Sequence, residues 1–182
     1  GGARTQVTFF SEPAAAAWSI PGTQRLVLMR DTGGDEWCQL YAMGLTGEPV
    51  QLTEPGTRNQ GPVISKDGKV MLWSRAMKGS SDYSIMAVDP GEPKSVRAVY
   101  RADGSIEPSD ITADGKRALL TRYFSNRESQ MHLLDLTSGQ ATRFAPDQGQ
   151  VLYVDPRFAR DGRSVVVISN KNSDVRRLVE ID

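Results

Sequence analysis

The chain has 182 residues, with 22 Lys plus Arg against 22 Asp plus Glu, so no net charge draws it to nucleic acid or to acidic lipid. No apolar run approaches the roughly 18 residues that would span a bilayer, and Cys38 as the only cysteine excludes an intrachain disulfide and any Cys-based metal site. Abundant Gly, Pro, Asp and Ser with few aromatic residues point to turn-rich β structure rather than helix.

In chain order, the opening GGARTQVTFF has no basic-then-apolar leader, so no signal peptide is expected in it. Its second half, TQVTFF (5–10), reads as a short strand. From Trp18 onward the chain repeats. SIPGTQRLVLMR (19–30), SKDGKVMLWSR (65–75), TADGKRALLTRY (112–123) and ARDGRSVVVIS (159–169) each place a turn before an apolar run. The turn glycines Gly22, Gly68, Gly115 and Gly162 are spaced by 46, 47 and 47 residues. Four positions earlier stands a large apolar residue (Trp18, Ile64, Ile111, Phe158), and one step later a small one (Ser19, Ser65, Thr112, Ala159). Asp67, Asp114 and Asp161 precede three of the glycines, and Lys69, Lys116 and Arg163 follow them. Periodicity of this length marks a repeat architecture.

The physics of each unit is readable. Asp bonds forward to backbone N–H groups and Gly accepts a positive φ, so Asp-Gly makes a tight hairpin. Short apolar runs follow at Leu26–Met29, Val70–Trp73, Ala118–Thr121 and Val165–Ile168, too short for helices and bounded by turn residues. A polar loop (DTGGDEW, AMKGSSD, YFSNRES, NKNSD) leads to a third strand (QLYAMGL, YSIMAVD, QMHLLDL, RRLVEID). A Gly/Pro turn then leads to a fourth (PVQLTE, SVRAVYR, ATRFAP). Four short antiparallel strands per repeat predict an all-β propeller. The expected division is 1–17 as the last strand of a preceding blade, blades at 18–61, 62–108 and 109–155, and 156–182 as the first three strands of a further blade. Such a set is either a segment of a larger ring or, with TQVTFF completing the last blade, a closed four-bladed ring; the segment is the reading preferred.

The units RDTGGDEWCQLYAM (30–43), SKDGKVMLWSRAMKGSSDYSIMAVDP (65–90) and TADGKRALLTRYFSNRESQMHLLDLTSGQ (112–140) resemble TolB-like and WD40-like repeats. More specifically they are similar to the N-terminal propeller of prolyl-oligopeptidase-family serine peptidases, the acylaminoacyl-peptidase-like and dipeptidyl-peptidase-IV-like enzymes. That resemblance implies a ring of seven or eight blades over an α/β-hydrolase domain with a Ser–Asp–His triad. The partners it implies are that hydrolase domain and a peptide substrate, with the ring keeping out large folded proteins. It leaves the compartment open between cytoplasm and periplasm. The alternative is a TolB-like module that binds a protein partner and has no enzymatic activity.

The chain itself carries no catalytic motif. Gly-x-Ser-x-Gly is absent, the nearest run being KGSSDYS (78–84). His132, the only histidine, occupies the column of Tyr41, Met86 and Val179, a packing position. DTGGDE (31–36) lacks the alternating ligands of a calcium loop, no phosphate loop occurs, and neither metal nor cofactor is expected. One recurrent feature suits substrate: Arg30, Arg75 and Arg122 each end a second strand, placing three guanidinium groups on one rim for a carboxylate. The alternative is that each pairs locally with Asp31, Asp82 or Glu128. Trp37, Trp73 and Tyr123 near those loops suit either a peptide surface or blade packing. Open blade faces would make the isolated chain self-associate.

Overall fold

The computed structural model describes residues 2–145 and 150–182; these contain fifteen strands and no helix. The first sheet runs β1 (Ala16–Ser19), β2 (Arg25–Arg30), β3 (Gln39–Gly44) and β4 (Val50–Gln51). The second runs β5 (Thr57–Ile64), β6 (Met71–Met77), β7 (Tyr83–Asp89) and β8 (Glu92–Ala102). The third comprises β9 (Ile106–Ile111), β10 (Arg117–Ser125), β11 (Glu128–Asp135) and β12 (Ala141–Phe144), and the last β13 (Tyr153–Phe158), β14 (Val165–Ser169) and β15 (Arg177–Ile181). Every pairing is antiparallel and between neighbours in the chain. These are the blades of a partial β-propeller, and β9 lies between β5 and β13, so the first strands are innermost.

The core is divided among the seams between blades. In β6, Met71 and Trp73 face the first blade and, with Met86 of β7, pack with its Val27 and Leu40. Leu72, between them in sequence, faces the third blade and packs with Ile85, Leu120 and Leu134. Leu119 and Met131 turn to the fourth blade and its Val165 and Val167. Side chains alternate across a strand, so a strand covered on both sides is apolar at consecutive positions.

The four turn glycines take φ values of +74, +73, +67 and +67 degrees, a conformation open to Gly at little steric cost. The N–H groups of Gly68, Gly115 and Gly162 donate to the carbonyls of Ser65, Thr112 and Ala159 at 2.9, 2.9 and 3.0 Å. Oδ1 of Asp67, Asp114 and Asp161 accepts the N–H of the residue after the glycine, at 3.1, 3.1 and 2.9 Å.

Three expectations change. Residues 5–10 form no strand, and β15 pairs with β14 alone among the described residues, so TQVTFF does not close a four-bladed ring. Instead Phe10 lies 6.3 Å from the ring of Tyr41, on the face of the first blade turned away from its seam. YFSNRES is mostly strand rather than loop: β10 continues to Ser125 and β11 resumes at Glu128. The inner strands begin earlier than the expected blade starts, at Thr57, Ile106 and Tyr153. The expected end of ATRFAP at Pro146 lies outside the described residues.

Candidate functional site

The three complete inner strands share a local irregularity. Pairing slips between Gln60 and Val63 in β5, between Pro108 and Asp110 in β9, and between Val154 and Arg157 in β13. A buried proline sits at each slip: Pro62, Pro108 and Pro156. Proline has no N–H to give a ladder and is confined to edges and bulges, and an extra residue bends its strand. Gly61 and Asp155, each preceding a proline, take φ of +61 and +52 degrees. The inner edges therefore bend and do not offer a straight row of N–H groups to another strand.

A cleft of about 670 Å³ lies where the inner strands converge, with all four blades contributing to its walls. Trp18, Met29, Val63 and Tyr153 give apolar surface; Glu107, Asp155, Arg157 and Arg176 bring charge. Glu107 Oε1 accepts a 2.6 Å bond from Nε2 of Gln60, joining blades two and three. Arg157 pairs with Asp155 at 2.5 Å and donates across the next seam to the carbonyl of Ser109. The N–H of Phe158 donates to Asp110 Oδ2 at 2.8 Å in the same seam. Arg176 is exposed and has no ion pair or side-chain hydrogen bond to a described residue. Tyr123, half exposed, stands in the cleft wall with Asn126 of the β10–β11 hairpin.

The repeated arginines are elsewhere. Arg30 stacks between the rings of Phe10 and Tyr41, 4.4 and 4.9 Å from their centroids, and its Nη2 lies 3.5 Å from the Tyr41 hydroxyl. Arg75 pairs with Glu54 at 3.4 Å. Arg122 donates to the Asp103 carbonyl at 2.6 Å and lies over Phe124. Their partners differ from the acids expected, and none of the three lines the cleft. Trp73 is a buried seam residue and Trp37 lies under Lys78.

His132 is also outside the cleft. It is half-buried in β11, opposite Leu120 and Arg143, and its Nε2 is buried without a hydrogen bond. Burial, followed by the charges of Arg122 and Arg143, holds its pKa below the usual imidazole value. No imidazole therefore stands beside the cleft serines, and the serine–histidine geometry of nucleophilic catalysis is not formed among the described residues. Nor is any group of three His, Cys, Asp or Glu side chains among them placed to hold a metal. Glu107, Arg157 and Arg176 escaped the sequence reading, although the column Gly-Pro, Glu-Pro and Asp-Pro was there to mark the inner strands.

The architecture has clear structural relatives. It matches the putative TolB from Agrobacterium tumefaciens with a TM-score of 0.68 at 20% identity, over 96% of this chain and 60% of that one. The fold is that of a TolB-like β-propeller. An oligogalacturonate lyase solved in complex with manganese matches with a TM-score of 0.68 at 14% identity, over 91% of this chain and 47% of that one. Prolyl oligopeptidase B from Galerina marginata, solved bound to a 35mer hydrolysis and macrocyclization substrate, matches with a TM-score of 0.59 at 16% identity, over 81% and 22%. This TolB-like propeller thus spans 60% or less of the length of each of these structures. No family model matches the sequence, and no curated protein matches it closely enough to count as a relative.

Proposed function

We propose that this chain is the non-catalytic propeller segment of a prolyl-oligopeptidase-type serine peptidase, gating access of peptides to a hydrolase domain carried elsewhere in the parent protein. The observation that supports it most is the cleft on the inner strands, with charge and apolar surface on its walls and no nucleophile–base pair beside it. An extended peptide fits a cleft of this kind through side-chain contacts. A folded domain does not, and the chemistry of acyl transfer would occur at a serine outside these residues. Arg176, with no ion pair or side-chain hydrogen bond to a described residue, is available to a substrate carboxylate; Arg30, Arg75 and Arg122 would act only as a more distant steering charge.

The test is active-serine labelling of the native gene product with a fluorophosphonate probe, combined with its mass. A labelled product several times the size of this chain is the expected result, and Arg176→Ala in it should raise KM for peptides. A native product that takes no label would remove the peptidase reading. The second reading, a TolB-like interaction module without enzymatic activity, is favoured by the higher structural similarity to TolB, 0.68 against 0.59, and predicts an unlabelled product that binds a protein on one propeller face.

A further inference from the structure

We propose a second binding site, specific for a phosphate-type oxyanion, in the seam between the second and third blades. It is on the side of the Asp-Gly turns and shares no lining residue with the inner cleft. A recess of about 250 Å³ opens there between Lys69, which follows the second-blade turn, Lys116, which follows the third-blade turn, and Arg97 of β8. Lys69 and Lys116 are the same column of the repeat, so blade packing brings them to one recess. Arg97 is the third cation.

The recess is rich in donors and poor in acceptors. None of the three cations makes an ion pair or a side-chain hydrogen bond to a described residue; the ion pairs among those residues are Arg75–Glu54 and Arg157–Asp155. Asp89 is the acid in the lining, and its Oδ1 already accepts the N–H of Gly91 at 2.7 Å. Asp67 and Asp114, beside the two lysines, each direct Oδ1 into their own turns. Ser95 uses its oxygen to accept from the N–H of Asp89 at 2.9 Å, leaving its O–H as a donor. Thr137 contributes a further hydroxyl from the opposite wall.

Beneath these groups the floor includes Val70 and Ala87, whose side chains pack in the seam of the second and third blades. An apolar base lowers the local dielectric and strengthens attraction for an anion held above it. Cations on separate walls favour a tetrahedral oxyanion, whose oxygens point several ways; a carboxylate has two oxygens in one plane. The guanidinium supplies a fork and the ammonium groups act as point charges. Inorganic phosphate and a phosphomonoester share this chemistry.

Isothermal titration of the 182-residue chain with inorganic phosphate, and separately with glycerol 1-phosphate, tests the site. Sodium chloride and sodium acetate at matched ionic strength serve as references. Saturable binding with Kd of about 1 mM or tighter is expected for at least one phosphate probe, and the tighter probe identifies the source. Arg97→Ala and Lys69→Ala/Lys116→Ala should weaken it by about tenfold or more, a loss of about 1.4 kcal/mol, while Lys66→Ala should leave it unchanged. The side chains replaced are exposed, and unaltered unfolding curves without phosphate verify that each variant folds. No saturable binding, equal binding of acetate, or equal affinity in the variants would each overturn the proposal.

Discussion

Trp73 Nε1 donates a 2.9 Å hydrogen bond to Oδ1 of Asn59 inside the seam of the first two blades, where each residue is 1% exposed. Asn59 in turn donates from Nδ2 to the Cys38 carbonyl and to Thr57 Oγ1, both at 3.0 Å. One side chain thus ties β5 to β6 and to the segment entering β3. In so dry a place, removal of the amide leaves groups that water does not rescue. Asn59→Leu should therefore lower stability by about 1–3 kcal/mol, read as a fall in the urea midpoint. In a double-mutant cycle with Trp73→Phe the two losses should be non-additive; strict additivity would show that the bond contributes nothing.

The turn glycines share a conformation but not a neighbourhood. A Cβ on Gly68 would meet the Pro21 carbonyl oxygen at 2.5 Å and Ile20 Cγ2 at 3.2 Å, whereas one on Gly162 would meet nothing within 4 Å. Gly162→Ala should cost only the backbone term, about 1–2 kcal/mol for an L-residue in the left-handed region. Gly68→Ala should cost more, because the first blade has to shift away. Equal midpoints for the two variants in chemical denaturation would contradict the close approach of the first blade's turn to the second.

Acid sensitivity follows from the same turns. The pKa of Asp67 is lowered chiefly by the Ser65 hydroxyl, that of Asp114 by the Thr112 hydroxyl, and that of Asp161 by the backbone N–H of Arg163. A carboxylate with a depressed folded pKa stabilises the fold above its unfolded pKa, and the contribution disappears as pH falls through the folded value. Stability should therefore decline as pH drops below about 4. Asp114→Asn keeps an acceptor for the Lys116 N–H but cannot titrate, so its acid limb should be shallower. An unchanged slope would separate the turn carboxylates from acid unfolding.

Much of the scaffold was legible because its requirements are local. Positive φ calls for glycine, which fixed the turns, and an apolar run such as Val70–Trp73 had to be buried on both sides. TQVTFF misled because strand-forming composition needs a partner edge. Phe10 instead meets Arg30 and Tyr41 on the outward face of the first blade, a contact set by tertiary packing. YFSNRES misled in the opposite direction, since its polarity reflects exposure at a hairpin tip, while Tyr123 and Phe124 suit a strand. The cleft was the least legible part. Glu107 comes from the third blade, and Arg157 and Arg176 from two separate parts of the fourth, at non-equivalent positions, so no column of the repeat displays them together.

The fourth blade gives the last prediction. Val165, Val167 and Val179 face the seam with the third blade. The alternate residues Ile168 and Leu178 are cross-strand partners on the other face, 38% and 71% exposed, and Val175 at the adjoining hairpin is 57% exposed. Exposed apolar side chains beside an open strand edge favour association. The 182-residue chain on its own is therefore expected to self-associate through this blade, with a concentration-dependent mass in light scattering. Leu178→Lys places a charge in the middle of the face while leaving the seam untouched, so it should shift the population toward monomer without lowering the unfolding midpoint of the monomer. A chain that is monomeric at every concentration, or a Leu178→Lys variant that associates as before, would place the contact elsewhere or remove it.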